Sequence, residues 1–83
     1  VLERHPQVVI GTDDMYEHIW WGPEPFTSFA SANPRLYDRT VTINGCSKSY
    51  AMTGWRIGYC GGPQEIIAAM ATIQGQSTSN ASS

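Results

Sequence analysis

The sequence has 83 residues, 5 basic and 7 acidic side chains, and a net charge of −2. This length suffices for one small domain, and the acidic balance argues against a nucleic-acid-binding module, which needs a clustered basic surface. No run of about 20 apolar residues is present, so no membrane-spanning helix is predicted. Charged residues make up 14%, against about 25% in an average soluble domain, which predicts a segment covered by other protein on most sides.

Cysteine and histidine spacing predicts no metal site. His5 and His18 lie far apart, and neither pairs with a cysteine at zinc-site spacing. Cys46 and Cys60 do not make a disulfide framework. Two reduced thiols in a cytosolic protein are the favoured interpretation, and a disulfide stays open at this point.

The two ends predict a segment of a longer chain. The sequence begins without Met, in a stretch typical of the last turn of a helix closed by Pro6. It ends in a polar tail, residues 77–83, directly after a helical pattern. The alternative is a complete small protein with a flexible tail.

The first half of the chain predicts two strands and a long connection. Residues 8–12 form a short continuous apolar run, typical of a buried parallel strand. Residues 13–21 are mixed, with one helical turn, and residues 22–35 are rich in Pro, Gly and Ser, which predicts a loop. A helical turn at 36–38 precedes a second strand at 40–44.

The second half predicts a third strand and one good helix. Residues 46–56 fit neither a strand nor a long helix, and residues 57–60 read as a strand. Pro63 suits the first position of a helix that frays near Gly75. The long first connection permits a parallel crossover, whereas the short second one favours an antiparallel return.

Lys48 is the only lysine in the chain, and it follows the second predicted strand among small residues. Small neighbours let the backbone approach a ligand closely. Arg56 lies eight residues further on, after Gly54. A neighbouring guanidinium and partial desolvation are the conditions under which a lysine amine becomes a nucleophile toward a carbonyl. The alternative is an ordinary surface lysine in a loop.

Asp13 and Tyr16 follow the carboxyl end of the first predicted strand. Ligands of open α/β sheets bind outside these strand ends, so parallel neighbouring strands would open Asp13 and Lys48 onto one crevice. An acid, a phenol, an amine and a guanidinium suit a ligand with a basic ring nitrogen, a ring oxygen, an aldehyde and a phosphate. The alternatives are a helix N-cap for Asp13 and a half-buried aromatic for Tyr16.

Two segments of the sequence resemble class I/II pyridoxal-phosphate-dependent aminotransferases, most closely the bacterial aspartate and aspartate/prephenate enzymes. Residues 47–59, Ser-Lys-Ser-Tyr-Ala-Met-Thr-Gly-Trp-Arg-Ile-Gly-Tyr, look like the segment that carries the cofactor. Residues 12–18, Thr-Asp-Asp-Met-Tyr-Glu-His, look like the segment that holds the cofactor ring. The likeness covers nearly the whole chain and has Asp-x-x-Tyr at the matching place.

This resemblance implies a fold and a site. The expected fold is α/β, with residues 1–83 forming part of the cofactor-binding large domain of a fold-type I enzyme, an α/β/α sandwich on a mostly parallel sheet with one antiparallel strand. Lys48 matches the Schiff-base lysine that also moves the substrate proton. Asp13 matches the partner of the pyridine nitrogen, Tyr16 the donor to the ring oxygen, and Arg56 the phosphate-binding guanidinium. Ser47 matches a residue that adds a phosphate contact in some relatives.

The same resemblance implies partners and limits. It implies pyridoxal 5'-phosphate as cofactor, an amino acid (aspartate is favoured) and a 2-oxo acid as substrates, and a cytoplasmic homodimer. A phosphate-binding loop, a ring-stacking aromatic and a substrate-binding arginine have no counterpart here, so residues 1–83 alone are expected to be inactive. Gly45 and Ala81 depart from the common pattern. Open alternatives are an aromatic aminotransferase, a carbon–sulfur lyase, or a short non-catalytic binding protein.

Overall fold

A three-stranded mixed sheet organises the chain in the computed structural model, which describes residues 1–82. The strands, in spatial order, are β1 (Ile10–Asp13), β2 (Thr40–Gly45) and β3 (Gly58–Gly61). β1 and β2 are parallel, with Ile10 opposite Thr40, and β2 and β3 are antiparallel, with Thr42 opposite Gly61. Both predicted strand directions are confirmed. The antiparallel pairing follows from the short connection before β3, which holds no helix long enough for a parallel crossover.

β1 begins two residues later than the sequence predicts. Val8 and Val9 lie outside the strand and are 39% and 56% exposed. The carbonyl oxygen of Val8 accepts a hydrogen bond from Arg39 Nη1 at 2.6 Å, a side-chain contact in place of a sheet partner. The prediction of a buried strand over 8–12 is therefore wrong for its first two residues.

The helices are short except for the last one. They are α1 (Phe29–Ala32), α2 (Cys46–Ser49) and α3 (Gln64–Ser77), with 3₁₀ turns at Leu2–Arg4, Glu17–Ile19, Pro34–Arg39 and Thr53–Trp55. The predicted loop over 22–35 is wrong at α1, where the Ser28 hydroxyl caps the helix by accepting from Ser31 N at 3.2 Å. Pro63 is the N-cap of α3 rather than its first residue. None of the helices in residues 1–82 is both long and apolar enough to span a bilayer.

The buried core is small for 83 residues. Its apolar members are Ile10, Leu36 and Val41. The structure measures 42 × 36 × 15 Å, and its radius of gyration of 14.6 Å exceeds the roughly 12 Å of a compact domain of this length. Met70 and Ile73 of α3 are 41% and 69% exposed. The sheet and α3 thus present apolar side chains that residues 1–82 do not cover.

Arg39 fastens the first residues of the chain to the start of β2. Its guanidinium donates from Nη1 to the carbonyl oxygens of His5 (3.0 Å) and Val8 (2.6 Å), and from Nη2 to that of Leu2 (2.7 Å). Arg39 directly precedes β2, so these bonds fix the N-terminal segment beside the sheet. A planar guanidinium suits this task because it offers several donors in a fixed fork.

Arg39→Met is expected to lower the free energy of unfolding by about 2 kcal/mol. Methionine keeps an aliphatic stem of similar length but removes the three hydrogen bonds from the guanidinium to the carbonyl oxygens of the N-terminal segment. Arg35→Met is the matched control, because the Arg35 side chain is 83% exposed and lies 3.9 Å from Glu3. Denaturant unfolding of both variants measures the difference. Equal stability of the two variants would contradict the role given to Arg39.

Candidate active site

The carboxyl ends of β1 and β2 form one edge of the sheet. Asp13 ends β1 opposite Ile43 of β2, and Asp14 N continues the ladder by donating to Ile43 O at 2.9 Å. α2, which carries Lys48, begins directly after β2. Because β1 and β2 are parallel, the segments that carry Asp13, Tyr16 and Lys48 all begin at this edge of the sheet, as the sequence analysis expects for parallel neighbouring strands.

Lys48 and Tyr16 are brought into contact across this edge. The Nζ atom of Lys48 lies 5.9 Å from the centroid of the Tyr16 ring. This distance is within the range of a cation–π interaction, which stabilises an ammonium at an exposed site by about 0.5–1 kcal/mol. Both residues are exposed, Tyr16 to 59%, so the amine and the phenol remain accessible to a ligand. Tyr16 is thus not the half-buried aromatic of the alternative interpretation.

Gly45 sets the path of the chain into α2. It is buried and is the N-cap of this helix. A Cβ atom at this position would lie 3.0 Å from the carbonyl oxygen of Ile57 and 3.0 Å from Cε of Met15. A side chain at this position would therefore press on both atoms, so that they would have to shift by a few tenths of an ångström. The backbone itself sets no such limit, because a φ of −174° is open to any residue.

Asp13 closes an Asx turn instead of capping a helix. Its Oδ1 atom accepts a hydrogen bond from Met15 N at 3.1 Å, and the residue preceding the next helical turn is Tyr16. The N-cap alternative is therefore wrong. The turn redirects the chain after β1, and Tyr16, which follows it, lies beside Lys48. Within residues 1–82, Oδ2 of Asp13 has no hydrogen-bond donor.

Arg56 lies apart from the other three predicted site residues. It follows the 3₁₀ turn Thr53–Trp55 with a left-handed backbone, φ 55° and ψ 43°. Its Nη1 atom donates to the carbonyl oxygen of Thr53 at 2.9 Å, and it lines a cleft with Gln74 and Thr78 near the end of α3. Within residues 1–82 it makes no hydrogen bond to Asp13, Tyr16 or Lys48. Its role toward a phosphate stays a prediction.

Asn44 and Glu17 are part of the site region, and the sequence analysis missed both. Asn44 is 6% exposed, and its Nδ2 atom donates to Oε1 of Glu17 at 2.8 Å. Glu17 follows Tyr16 directly, and Asn44 precedes the helix of Lys48. The available signal was an asparagine, a residue type that is depleted in strands, after four β-branched residues and directly before a glycine.

Burial raises the pKa of Asp14, and the negative charges of Glu17 and Asp13 raise it further. The side chain is 8% exposed, and its Oδ2 atom is buried without a hydrogen-bond partner. A carboxylate in this position is disfavoured relative to the carboxylic acid. The pKa of Asp14 in the folded state therefore lies above the ordinary value of 3.8. The free energy of unfolding accordingly falls as the pH rises from 3.8 through the raised pKa.

Asp14→Asn is expected to raise the unfolding temperature at about pH 7 by roughly 2 °C, because it removes a buried charge. Well below pH 3.8 the gain should vanish, since Asp14 is then protonated in both the folded and the unfolded state. Calorimetry at both pH values measures this, with the exposed Asp38→Asn as the control. A gain that is independent of pH would contradict the assigned cause.

Comparison with known proteins gives one consistent result. The family profile "Aminotransferase class I and II" matches residues 1–83. An aspartate/prephenate aminotransferase of Cereibacter sphaeroides is 64% identical over 80 residues, which cover 96% of this chain and 20% of that protein. One from Nitrosomonas europaea is 59% identical over 83 residues, 100% of this chain and 21% of that protein.

Solved structures agree with the sequence relatives. The aspartate aminotransferase from Rhizobium meliloti superposes with a TM-score of 0.90 at 57% identity, over 98% of this chain and 20% of that one. An aromatic aminotransferase from Pyrococcus horikoshii gives 0.83 at 32% identity, over 96% and 21%. The chain thus spans about a fifth of the length of these relatives. The expected α/β fold, that of a segment of a fold-type I enzyme, is confirmed, and the chain belongs to the class I and II aminotransferase family.

Proposed function

We propose that residues 1–83 are the central part of the cofactor-binding large domain of a longer enzyme. This enzyme transfers an amino group between aspartate and a 2-oxo acid with pyridoxal 5'-phosphate as cofactor. The proposal is supported by relatives named aspartate/prephenate and aspartate aminotransferase at 57–64% identity. Each of them is about five times as long as the matched segment.

The observation that carries the proposal is the contact between Lys48 and Tyr16 at the carboxyl edge of the sheet. An exposed amine lies 5.9 Å from a phenol ring, and the carboxylate of Asp13 ends the neighbouring strand. Oδ1 of Asp13 is used in its turn, and Oδ2 remains for a ligand. These donors and acceptors fit the aldehyde, the ring oxygen and the ring nitrogen of pyridoxal phosphate.

Each residue then has a defined task. Bound pyridoxal phosphate supplies a protonated ring that accepts electron density from the substrate. The Asp13 carboxylate keeps the proton on the ring nitrogen, and the Tyr16 phenol donates a hydrogen bond to the ring oxygen. Lys48 is the amine that binds the cofactor covalently and then carries the substrate proton. The Arg56 guanidinium binds the phosphate through its planar fork.

The assembled enzyme is proposed to be a cytoplasmic homodimer that acts on small molecules. The support for the dimer is the resemblance of residues 77–80 to a stretch that lies near the partner subunit's site in related enzymes, and the cytoplasmic location is what the family resemblance implies. Further groups that bind the substrate carboxylate belong to the remainder of the longer chain. Residues 1–83 alone are therefore expected to be inactive.

Borohydride reduction of the longer enzyme, followed by peptide mapping, tests the proposal. The cofactor label is expected on Lys48, because Lys48 is the only side-chain amine in this segment and lies against Tyr16. A label on any other residue, or no label, would overturn the proposed mechanism together with the roles of Asp13, Tyr16 and Arg56.

An aromatic aminotransferase is the second candidate, favoured by the structural match at a TM-score of 0.83 to an enzyme of that description. The two candidates share the cofactor residues and differ in the substrate side chain. Comparison of kcat/KM for aspartate and for phenylalanine separates them. A larger value for phenylalanine would favour the second candidate over the first.

A further inference from the structure

A single buried amide links the two segments that meet at the candidate site. Asn44 belongs to β2, and its Nδ2 atom donates to Oε1 of Glu17 at 2.8 Å. The Oδ1 atom of the same amide accepts from Gly45 N at 2.7 Å. Glu17 adjoins Tyr16, and Gly45 caps the helix of Lys48. The amide therefore bonds to both segments at once, across 27 positions of sequence.

The environment makes this link rigid. Asn44 is 6% exposed, and its backbone is paired with β3, opposite Tyr59. A hydrogen bond to a carboxylate is stronger than one between neutral groups, and partial burial limits competition from water. Glu17 Oε1 also lies 3.2 Å from His18 Nε2, and the His18 ring packs edge-on against Tyr50 at 6.4 Å. The His18–Tyr50 contact joins the Tyr16 segment to the residue that follows α2.

We propose that Asn44 and Glu17 are a positioning pair that sets the Tyr16 phenol relative to the Lys48 amine. This inference rests on the proposed function and extends it to two residues that do not touch the reacting groups. Tyr16 is 59% exposed, so packing alone does not fix its ring over Lys48. The part-buried hydrogen bond from Asn44 to Glu17, the neighbour of Tyr16, supplies the constraint. Loss of this bond frees the phenol to move away from the amine.

Three variants of the longer enzyme test the pair. Asn44→Asp removes the Nδ2 donor and places a carboxylate against Glu17. Asn44→Asp combined with Glu17→Gln restores an amide–carboxylate bond with donor and acceptor exchanged, at an unchanged net charge. Glu17→Ala removes the acceptor and leaves the buried strand residue intact, so it serves where Asn44→Asp does not fold. Asn33→Asp is the matched control, since Asn33 Nδ2 donates to Phe29 O at 2.9 Å in α1.

The readouts are kcat and KM, the absorbance spectrum of the bound cofactor at one pH, and the unfolding temperature of the cofactor-free enzyme. We expect Asn44→Asp and Glu17→Ala to lower kcat about tenfold with little change in KM and to alter the spectrum. The double variant should recover most of kcat and the wild-type spectrum. Asn33→Asp should lower the unfolding temperature only.

Failure of the proposed function and failure of this inference give different results. A wild-type enzyme that carries no borohydride-trapped label on Lys48 overturns the proposed function and this inference together. A correctly labelled enzyme whose Asn44→Asp and Glu17→Ala variants behave like Asn33→Asp overturns the inference alone. A double variant that recovers the unfolding temperature but neither kcat nor the spectrum also overturns it, because the bond would then be merely structural.

Discussion

Lys48→Arg is expected to abolish transamination by the longer enzyme, with a loss of at least about ten-thousandfold in kcat. Arginine keeps the positive charge beside the Tyr16 ring, 5.9 Å from Nζ in the present structure. A guanidinium stays protonated, so it neither forms the covalent bond to the cofactor nor accepts the substrate proton. Steady-state kinetics and borohydride labelling measure the two losses separately.

The control for Lys48→Arg is Arg35→Lys, which exchanges the same two side chains at an exposed position away from the sheet edge. It should leave both kcat and the label unchanged. Turnover by Lys48→Arg within a hundredfold of wild type, or a reducible label that persists in this variant, would assign the chemistry to another amine.

Asp13→Asn is expected to slow the proton-transfer step by about 3 kcal/mol, roughly a hundredfold, while the cofactor stays bound. The fold should tolerate the change, because an asparagine Oδ1 atom accepts the Met15 N–H as the aspartate oxygen does at 3.1 Å. What is lost is the negative charge that keeps the cofactor ring protonated. The rate of exchange of the substrate α-hydrogen in a single turnover measures this step.

Asp38→Asn is the matched control for Asp13→Asn, since Asp38 is exposed in the turn Pro34–Arg39. Cofactor absorbance before each assay separates a slower step from weaker binding. If Asp13→Asn retained the wild-type exchange rate, or lost activity only by losing the cofactor, the carboxylate would not act on the ring nitrogen.

The two stability variants probe other interactions than the two kinetic variants do. Arg39 fastens the N-terminal segment, and its three carbonyl acceptors lie on residues that precede β1. Asp14 lies in the site segment directly after Asp13. Its pKa is raised first by burial and then by the negative charges of Glu17 and Asp13. A pH-dependent gain for Asp14→Asn would show that this stability cost comes from charge rather than packing.

Local sequence by itself determined the strands and the family. β-Branched residues in 40–44 mark β2, and Gly61-Gly62-Pro63 marks the passage from β3 to α3. The short connection before β3 holds no long helix and so favours an antiparallel return, which the structure confirms. The segment around Lys48 identified the family because its chemistry resides in contiguous residues.

Only the tertiary structure decided which distant side chains meet. Asn44 and Glu17 are 27 positions apart, and Arg39 reaches carbonyl groups 31 to 37 positions away. Neither contact follows from periodicity or propensity, since each depends on the path of the chain and on side-chain rotamers. The start of β1 was mispredicted for the same reason, because the Val8 carbonyl binds a guanidinium that lies far along the sequence. Local patterns specify elements, whereas the accurate placement of Tyr16 over Lys48 depends on contacts formed when those elements pack.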